Sequence, residues 1–346
     1  MIDTSPQVAS TPGIMLVRVG QAGGALRWDA AGRCWRWPDP QGGQLYAWPA
    51  PAGMPSGVRL QESACVMATC ASGRVLLGQG KRLGMVELPA PGQGGRPLQS
   101  QVLVTVDAAE RRTTISDGCA DRGGNFVFGT ANTASDQRPI GSFYQYSHQH
   151  GLRRLALPVV VRAGGIAFST DGRRMYFADT AGGHIMQCEY DAERAKVADV
   201  KTFATVVGER AGLGMGSGVG AAAGAGAAVV DSADRLWSVQ DGALVQYGQQ
   251  GEALRRIGLS REPAVSVAFG GQGLRQLLVL GASGGLYGLP PDIGGSGSGG
   301  DSGSGGAGSG FSANASHAPS RGVADTPFDD GGPARFAILQ GPPIGD

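Results

Sequence analysis

Few side chains in this sequence combine a reactive type with a suggestive position. Asp117 and Cys119 lie two residues apart in Ser116-Asp117-Gly118-Cys119-Ala120-Asp121. The Asp117 carboxylate could serve a ligand; equally, an aspartate ahead of glycine bonds its own turn backbone. A thiol nucleophile needs a cation or histidine to lower its pKa, and Arg122 is the local cation, so Cys119 reads as a buried structural thiol. Glu62 precedes the apolar run Ala64–Thr69 and has two readings, channel-facing or surface-exposed. His148 and His150 alternate in YSHQHG; on a strand they would share a face, as a metal pair does, but no third ligand follows and a solvated pair is expected. His184 follows Gly182-Gly183 in a turn, and His317 lies in a polar tail. Ser217 sits between glycines in a Gly/Ala tract without helix signals, so it is no nucleophile elbow.

The totals exclude several classes of function. Among 346 residues, Lys+Arg 29 against Asp+Glu 28 leaves a net charge of +1, so no single-sign field exists to recruit nucleic acid or anionic lipid. No run of apolar residues is long enough to span a membrane, and the polar start MIDTSPQVASTP is no secretory signal. Five cysteines, irregularly spaced, form neither a disulfide framework nor a zinc pattern, which suits free thiols in the reducing cytoplasm. No cofactor is called for, and the partner expected is a small molecule. Oligomeric state has no signature in the sequence.

The elements that must position these residues are strands. Short β-branched, aromatic and aliphatic runs recur between glycine-bearing turns, and helical periodicity is nearly absent. One unit repeats six times: a turn, an apolar strand, a second turn and another strand. The copies start near Gly32, Gly73, Gly124, Gly172, Asp234 and Leu274. That spacing predicts an all-β fold, a six-bladed β-propeller over 13–293, because a four-stranded sheet buries both faces only between neighbours. The run Ile14–Val19 is expected to close the last blade. Residues 1–12 are expected to be disordered, Gly294–Gly332 to be a Gly/Ser-rich linker, and 333–346 to contain a run able to pack on the body. Gly208–Ala228 reads as a Gly/Ala-rich insertion.

Four ordered stretches resemble the gluconolactonase/regucalcin family. SDGCADRGGNFVFGTAN (Ser116–Asn132), GGIAFSTDGRRMYFADT (Gly164–Thr180), VVDSADRLW (Val229–Trp237) and VSVAFGGQGLRQLLVL (Val265–Leu280) each follow a family pattern. The resemblance implies a propeller that opens sugar lactones with one divalent cation, held at the channel mouth by Glu, Asn and Asp. It also implies an Arg and an Asn that hold substrate. Carried over, the Glu falls on Gly24, the Asn on Gly164 and the Asp on Gly226. The substrate Arg and Asn fall on Thr114 and Ser116. No Asp, Glu, Asn or His lies between Glu209 and Asp231, so an alignment shift does not restore the third ligand.

A dication does not leave water for glycines. The expectation is therefore a family member whose metal site is lost and whose central pocket binds a small organic ligand. Gly24, Glu62, Thr114, Ser116, Asp117, Gly164 and Gly226 are the expected lining. Two alternatives stand beside it. One is a lactone hydrolase with relocated ligands (Asp117 with Glu62, Asp179 or His184); the other is a protein-interaction propeller.

Overall fold

The computed structural model describes residues 13–21, 23–49, 53–89, 95–206, 225–259, 261–289 and 321–332. The expected disordered start (1–12), most of the Gly/Ala tract, the bulk of the expected linker and the segment 333–346 lie outside them. The fold is six four-stranded antiparallel sheets. In chain order the strands are β1 (Ile14–Arg18), then β2 (Arg27–Asp29), β3 (Cys34–Asp39), β4 (Gln44–Trp48) and β5 (Ser56–Arg59), which form the first blade. The second blade is β6 (Val66–Thr69), β7 (Val75–Gln79), β8 (Arg82–Val86) and β9 (Gln101–Thr105). The third is β10 (Thr113–Ala120), β11 (Phe126–Asn132), β12 (Phe143–Ser147) and β13 (Gly151–Arg154). The fourth is β14 (Ala163–Phe168), β15 (Arg174–Asp179), β16 (His184–Asp191) and β17 (Lys196–Thr205). The fifth is β18 (Ala225–Val230), β19 (Leu236–Gln240), β20 (Ala243–Tyr247) and β21 (Ala253–Gly258). The sixth is β22 (Ala264–Gly270), β23 (Gln276–Gly281) and β24 (Gly285–Leu289), completed by β1.

The repeat in the sequence marks the same turn in each blade. It joins the innermost strand to the second and needs one residue with left-handed backbone: Gly73 (φ 84°), Gly124 (80°), Gly172 (72°) and Asp234 (53°) occupy it. Arg33 (49°) and Leu274 (56°) take it in the first and sixth blades. Glycine, or aspartate with its short side chain, accepts that conformation most easily. The two apolar runs after each turn become the middle strands, buried on both faces between neighbouring blades. Thus Trp35, Trp37, Leu278 and Leu280 form one cluster between the sixth and first blades. Leu76, Met85, Phe126 and Phe128 form another between the second and third. Trp35, Trp37 and Trp237 are fully buried, in keeping with core roles. Each buried side chain of that size contributes roughly 2–3 kcal/mol.

β1 pairs antiparallel with β24, Ile14 opposite Gly288, and so ties the start of the chain to the last blade. β1 thereby supplies the outermost strand of the sixth blade, which the chain's end alone would leave with three. No helix among the described residues is long and apolar enough to cross a membrane.

The tail differs from the expected linker. Residues 321–332 lie across the end of the ring where the innermost strands turn outward. Gly322 bridges Asp231 of the fifth blade, and Phe328 bridges Cys70 of the second. The Asp329 amide donates to Gly124 O at 2.8 Å, reaching the third blade. Phe328 is buried, with its ring 5.9 Å from that of Tyr146. Arg74 holds the buried Asp330 through Nη2 at 2.7 Å. Polar composition concealed this strap because backbone bonds, one phenyl ring and one ion pair hold it.

Candidate functional site

The six innermost strands line the axis, and four of them carry bulges. Register slips between Ile115 and Asp117 on β10, Gly164 and Ala167 on β14, Ala225 and Ala228 on β18, and Ala264 and Ser266 on β22. A bulge re-aims the side chains beside it. At the first of these, Ser116 Oγ donates to Ala163 O at 2.8 Å. Asp117 Oδ2 accepts from the Ile166 amide at 3.0 Å. Asp117 is therefore no turn aspartate: it stands mid-strand and joins the third blade to the fourth. Burial raises its pKa, against the amides of Ile166, Gly118 and Gly165 and the Arg27 guanidinium, which favour the charged form. Thr114, at the same end, donates to Gly80 O at 3.0 Å.

The three glycines of interest stand at the mouth, where innermost strands begin. A Cβ on Gly24 would meet Pro38 Cγ at 2.7 Å, Pro38 O at 2.8 Å and Cys65 O at 3.0 Å. On Gly164 it would overlap the Thr180 Cγ2 methyl, with Ala225 O at 3.2 Å. Gly226 has room, its nearest neighbour being Val239 O at 3.5 Å. Backbone closes the space at Gly24, whereas at Gly164 a side-chain methyl would have to turn aside.

The remaining polar candidates do not gather here. Glu62 is half exposed and pairs with Arg82 at 2.5 Å. Asp179 accepts from the amides of Val161, Arg162 and Ala181 at 2.9–3.1 Å, which commits both its oxygens to backbone. His184 is exposed at the start of β16. His148 and His150 lie in the turn after β12, not on a strand as their alternation suggested; both are exposed. His317 is outside the described residues. Among the described residues no group of three His, Cys, Asp or Glu could hold a metal ion. The five cysteines are free, and burial pushes Cys65 up to about 11 and Cys119 to about 12.

Beyond Asp117, toward the strap, lies a small cavity of about 40 Å³. Its wall is mostly aliphatic, with Arg27, Cys119 and Arg122 from the blades and Val323 and Asp325 from the strap. That volume holds no more than a few waters. Arg27 Nη2 donates to Gly118 O at 2.7 Å, and Arg122 Nη1 donates to Ala324 O at 3.1 Å. The expected lining residues lie outside this chamber.

Comparison with known proteins places this geometry. A family model described as the SMP-30/gluconolactonase/LRE-like region matches residues 22–283. The chain belongs to that family. An L-arabinolactonase of Azospirillum brasilense is 30% identical over 72% of this chain and 78% of its own length. A luciferin-regenerating enzyme superposes with a TM-score of 0.71 at 18% identity, covering 94% of this chain and 100% of that one. A calcium-binding regucalcin from Agrobacterium tumefaciens gives 0.71 at 16%, covering 94% and 99%. Both structures share the propeller.

The SMP-30/gluconolactonase-like chain described here does not fit the dication that the resemblance implies. Gly24, Gly164 and Gly226 offer no side-chain oxygen, and Asp117 alone cannot supply the six or more oxygens of a calcium shell. No chemical step is routed through a cation. Sequence reasoning missed three residues of the axis. Arg27, three residues after Gly24, stands outside the four stretches that carry the resemblance. Arg122 was visible only as a neighbour of Cys119, and Asp325 lay within the expected linker.

Proposed function

We propose that this chain is a gluconolactonase-like propeller that has given up dication-dependent lactone opening and binds a small organic ligand in its channel. The observation that carries the reading is the mouth: the three cation-ligand positions that the resemblance gives are glycines, and at Gly24 even a Cβ would meet backbone oxygens at 2.8 and 3.0 Å. What remains at the mouth is neutral hydrogen-bonding capacity from Ser116 and Thr114 and one carboxyl on Asp117, set among glycine backbone. Such a mixture suits a ligand less hydrophilic than a sugar acid, with a few polar groups that fix its orientation. Sugar lactones are natural first candidates because the L-arabinolactonase is a family relative. The unpaired cysteines support the cytoplasm as its compartment. A hydrolase with relocated ligands is the weaker reading, since Glu62 and Asp179 are committed to other partners.

The test is calorimetric titration of an aldonolactone and its open-chain acid in the presence of EDTA, with product release followed in parallel. Saturable binding without hydrolysis supports the proposal. Hydrolysis that appears on adding calcium, zinc or manganese and vanishes with chelator defeats it.

A further inference from the structure

The closed end of the channel joins two cations, a carboxylate and a strap in a way that the mouth does not explain. Arg27 comes from the first blade, Arg122 from the turn after β10, and Asp325 from the arch of the strap. All three line the same chamber of about 40 Å³. The arginines are held by carbonyls: Arg27 by Leu26 O (2.9 Å) and Gly118 O (2.7 Å), and Arg122 by Ser169 O (3.2 Å), Phe168 O (3.2 Å) and Ala324 O (3.1 Å). Those bonds fix the planes of both guanidiniums while leaving N–H donors over. Two oriented arginines lining one small cavity are a carboxylate-recognition geometry.

The strap is anchored on both sides of Asp325. On one side the Gly322 amide donates to Leu274 O at 2.9 Å, and Ser232 N donates to Arg321 O at 2.7 Å. On the other the Phe328 amide donates to Thr69 O at 2.9 Å, with Arg74 on Asp330 beyond it. Between these anchors Ala324, Asp325 and Pro327 are exposed, so the arch itself packs on little. Asp325 lines the solvent-facing side of the chamber; the packed surroundings raise its pKa, while Arg27, Arg122 and the Trp28 amide favour its charged form. It makes no direct ion pair with either arginine. A free carboxylate, not tethered to the strap, can close that gap.

We propose that Arg27 and Arg122 form a small-carboxylate site at the strap end of the channel, beside which the C-terminal strap places Asp325 as a carboxylate in cis. The strap is thus a resident competitor: with its carboxylate removed, the site accepts one from solution. This site is separate from the mouth and does not depend on what binds there.

Chemical rescue tests the proposal in the full chain. Asp325→Ala truncates an exposed side chain on an arch anchored on both sides, so the strap stays seated while the chamber loses the one carboxylate that lines it. Acetate at roughly 100 mM is expected to raise the melting temperature of Asp325→Ala by about 3 °C more than that of the unaltered protein, as for a ligand about tenfold above its Kd. Saturation-transfer NMR is expected to show contact with the acetate methyl in Asp325→Ala only. Adding Arg27→Met to Asp325→Ala should abolish both signals. Equal acetate shifts in the altered and unaltered proteins, or a shift that survives Arg27→Met, would overturn the proposal, and so would the absence of any acetate contact in Asp325→Ala.

Discussion

A methyl group at Gly24 is the sharpest probe of the mouth. In Gly24→Ala the new Cβ would lie 2.7–3.0 Å from Pro38 Cγ, Pro38 O and Cys65 O, and two of those atoms are backbone that cannot swing aside. The Gly24 amide is also fixed, donating to Pro38 O at 3.0 Å. Relief requires shifting the strand against its neighbour, an overpacking cost of about 1–3 kcal/mol. In Gly226→Ala the nearest atom is Val239 O at 3.5 Å, an ordinary contact. Its backbone is unstrained, so alanine there is neutral or stabilising by about 0.4–1 kcal/mol through the unfolded chain. The two variants should therefore differ by about 1–4 kcal/mol, or roughly 2–16 °C in melting temperature. Gly164→Ala should fall between them, because the Thr180 methyl it meets can rotate. Urea denaturation of the three proteins reads this order directly. Equal stability of Gly24→Ala and Gly226→Ala would refute the reasoning, since it would mean that the mouth has room for the missing ligand side chain.

Other outcomes follow from the strap and the thiols. Phe328→Ala removes the buried ring against Tyr146, and trypsin should then cleave at Arg321 at least several-fold faster, while the propeller's main unfolding transition stays in place. The strap should also loosen in acid. Burial pushes the Asp330 pKa up, but the Ser72 and Arg74 hydrogen bonds outweigh it and the net shift is downward. A depressed carboxylate contributes stability above its unfolded pKa near 4 and loses it as pH falls through the folded value, so Arg321 cleavage or amide exchange of 321–332 should accelerate only below about pH 4. Finally, burial holds Cys65 at about 11 and Cys119 and Cys188 at about 12. At pH 7.5 each should react with iodoacetamide more than about 100-fold slower than free cysteine, as site-resolved mass spectrometry can measure.

The ring was legible because its signal is local and repeated. Each copy begins at a residue whose backbone must be left-handed, such as Gly124 or Asp234, and runs into strands buried on both faces. Closure through Ile14–Arg18 was also legible, as an apolar run with nothing else to pair. Asp117 was found but its role was not: a register slip places it mid-strand on the next blade's amides, and bulges leave no mark in residue type. Glu62 shows the converse. A polar residue ahead of an inner strand could turn either way, and Arg82 decides the matter. The strap was hidden for a third reason. Its partners lie more than 40 residues away in sequence, so no periodicity marks it, and one phenylalanine in a polar segment reads as noise.

The account turns on whether the mouth can hold a dication. Purified protein, incubated with calcium, zinc or manganese and then freed of unbound ion, should carry well under one equivalent of any of them by elemental analysis. Calorimetric titration of each ion should likewise show no saturable site. One equivalent retained at the channel mouth, accompanied by chelator-sensitive lactone turnover, would contradict it.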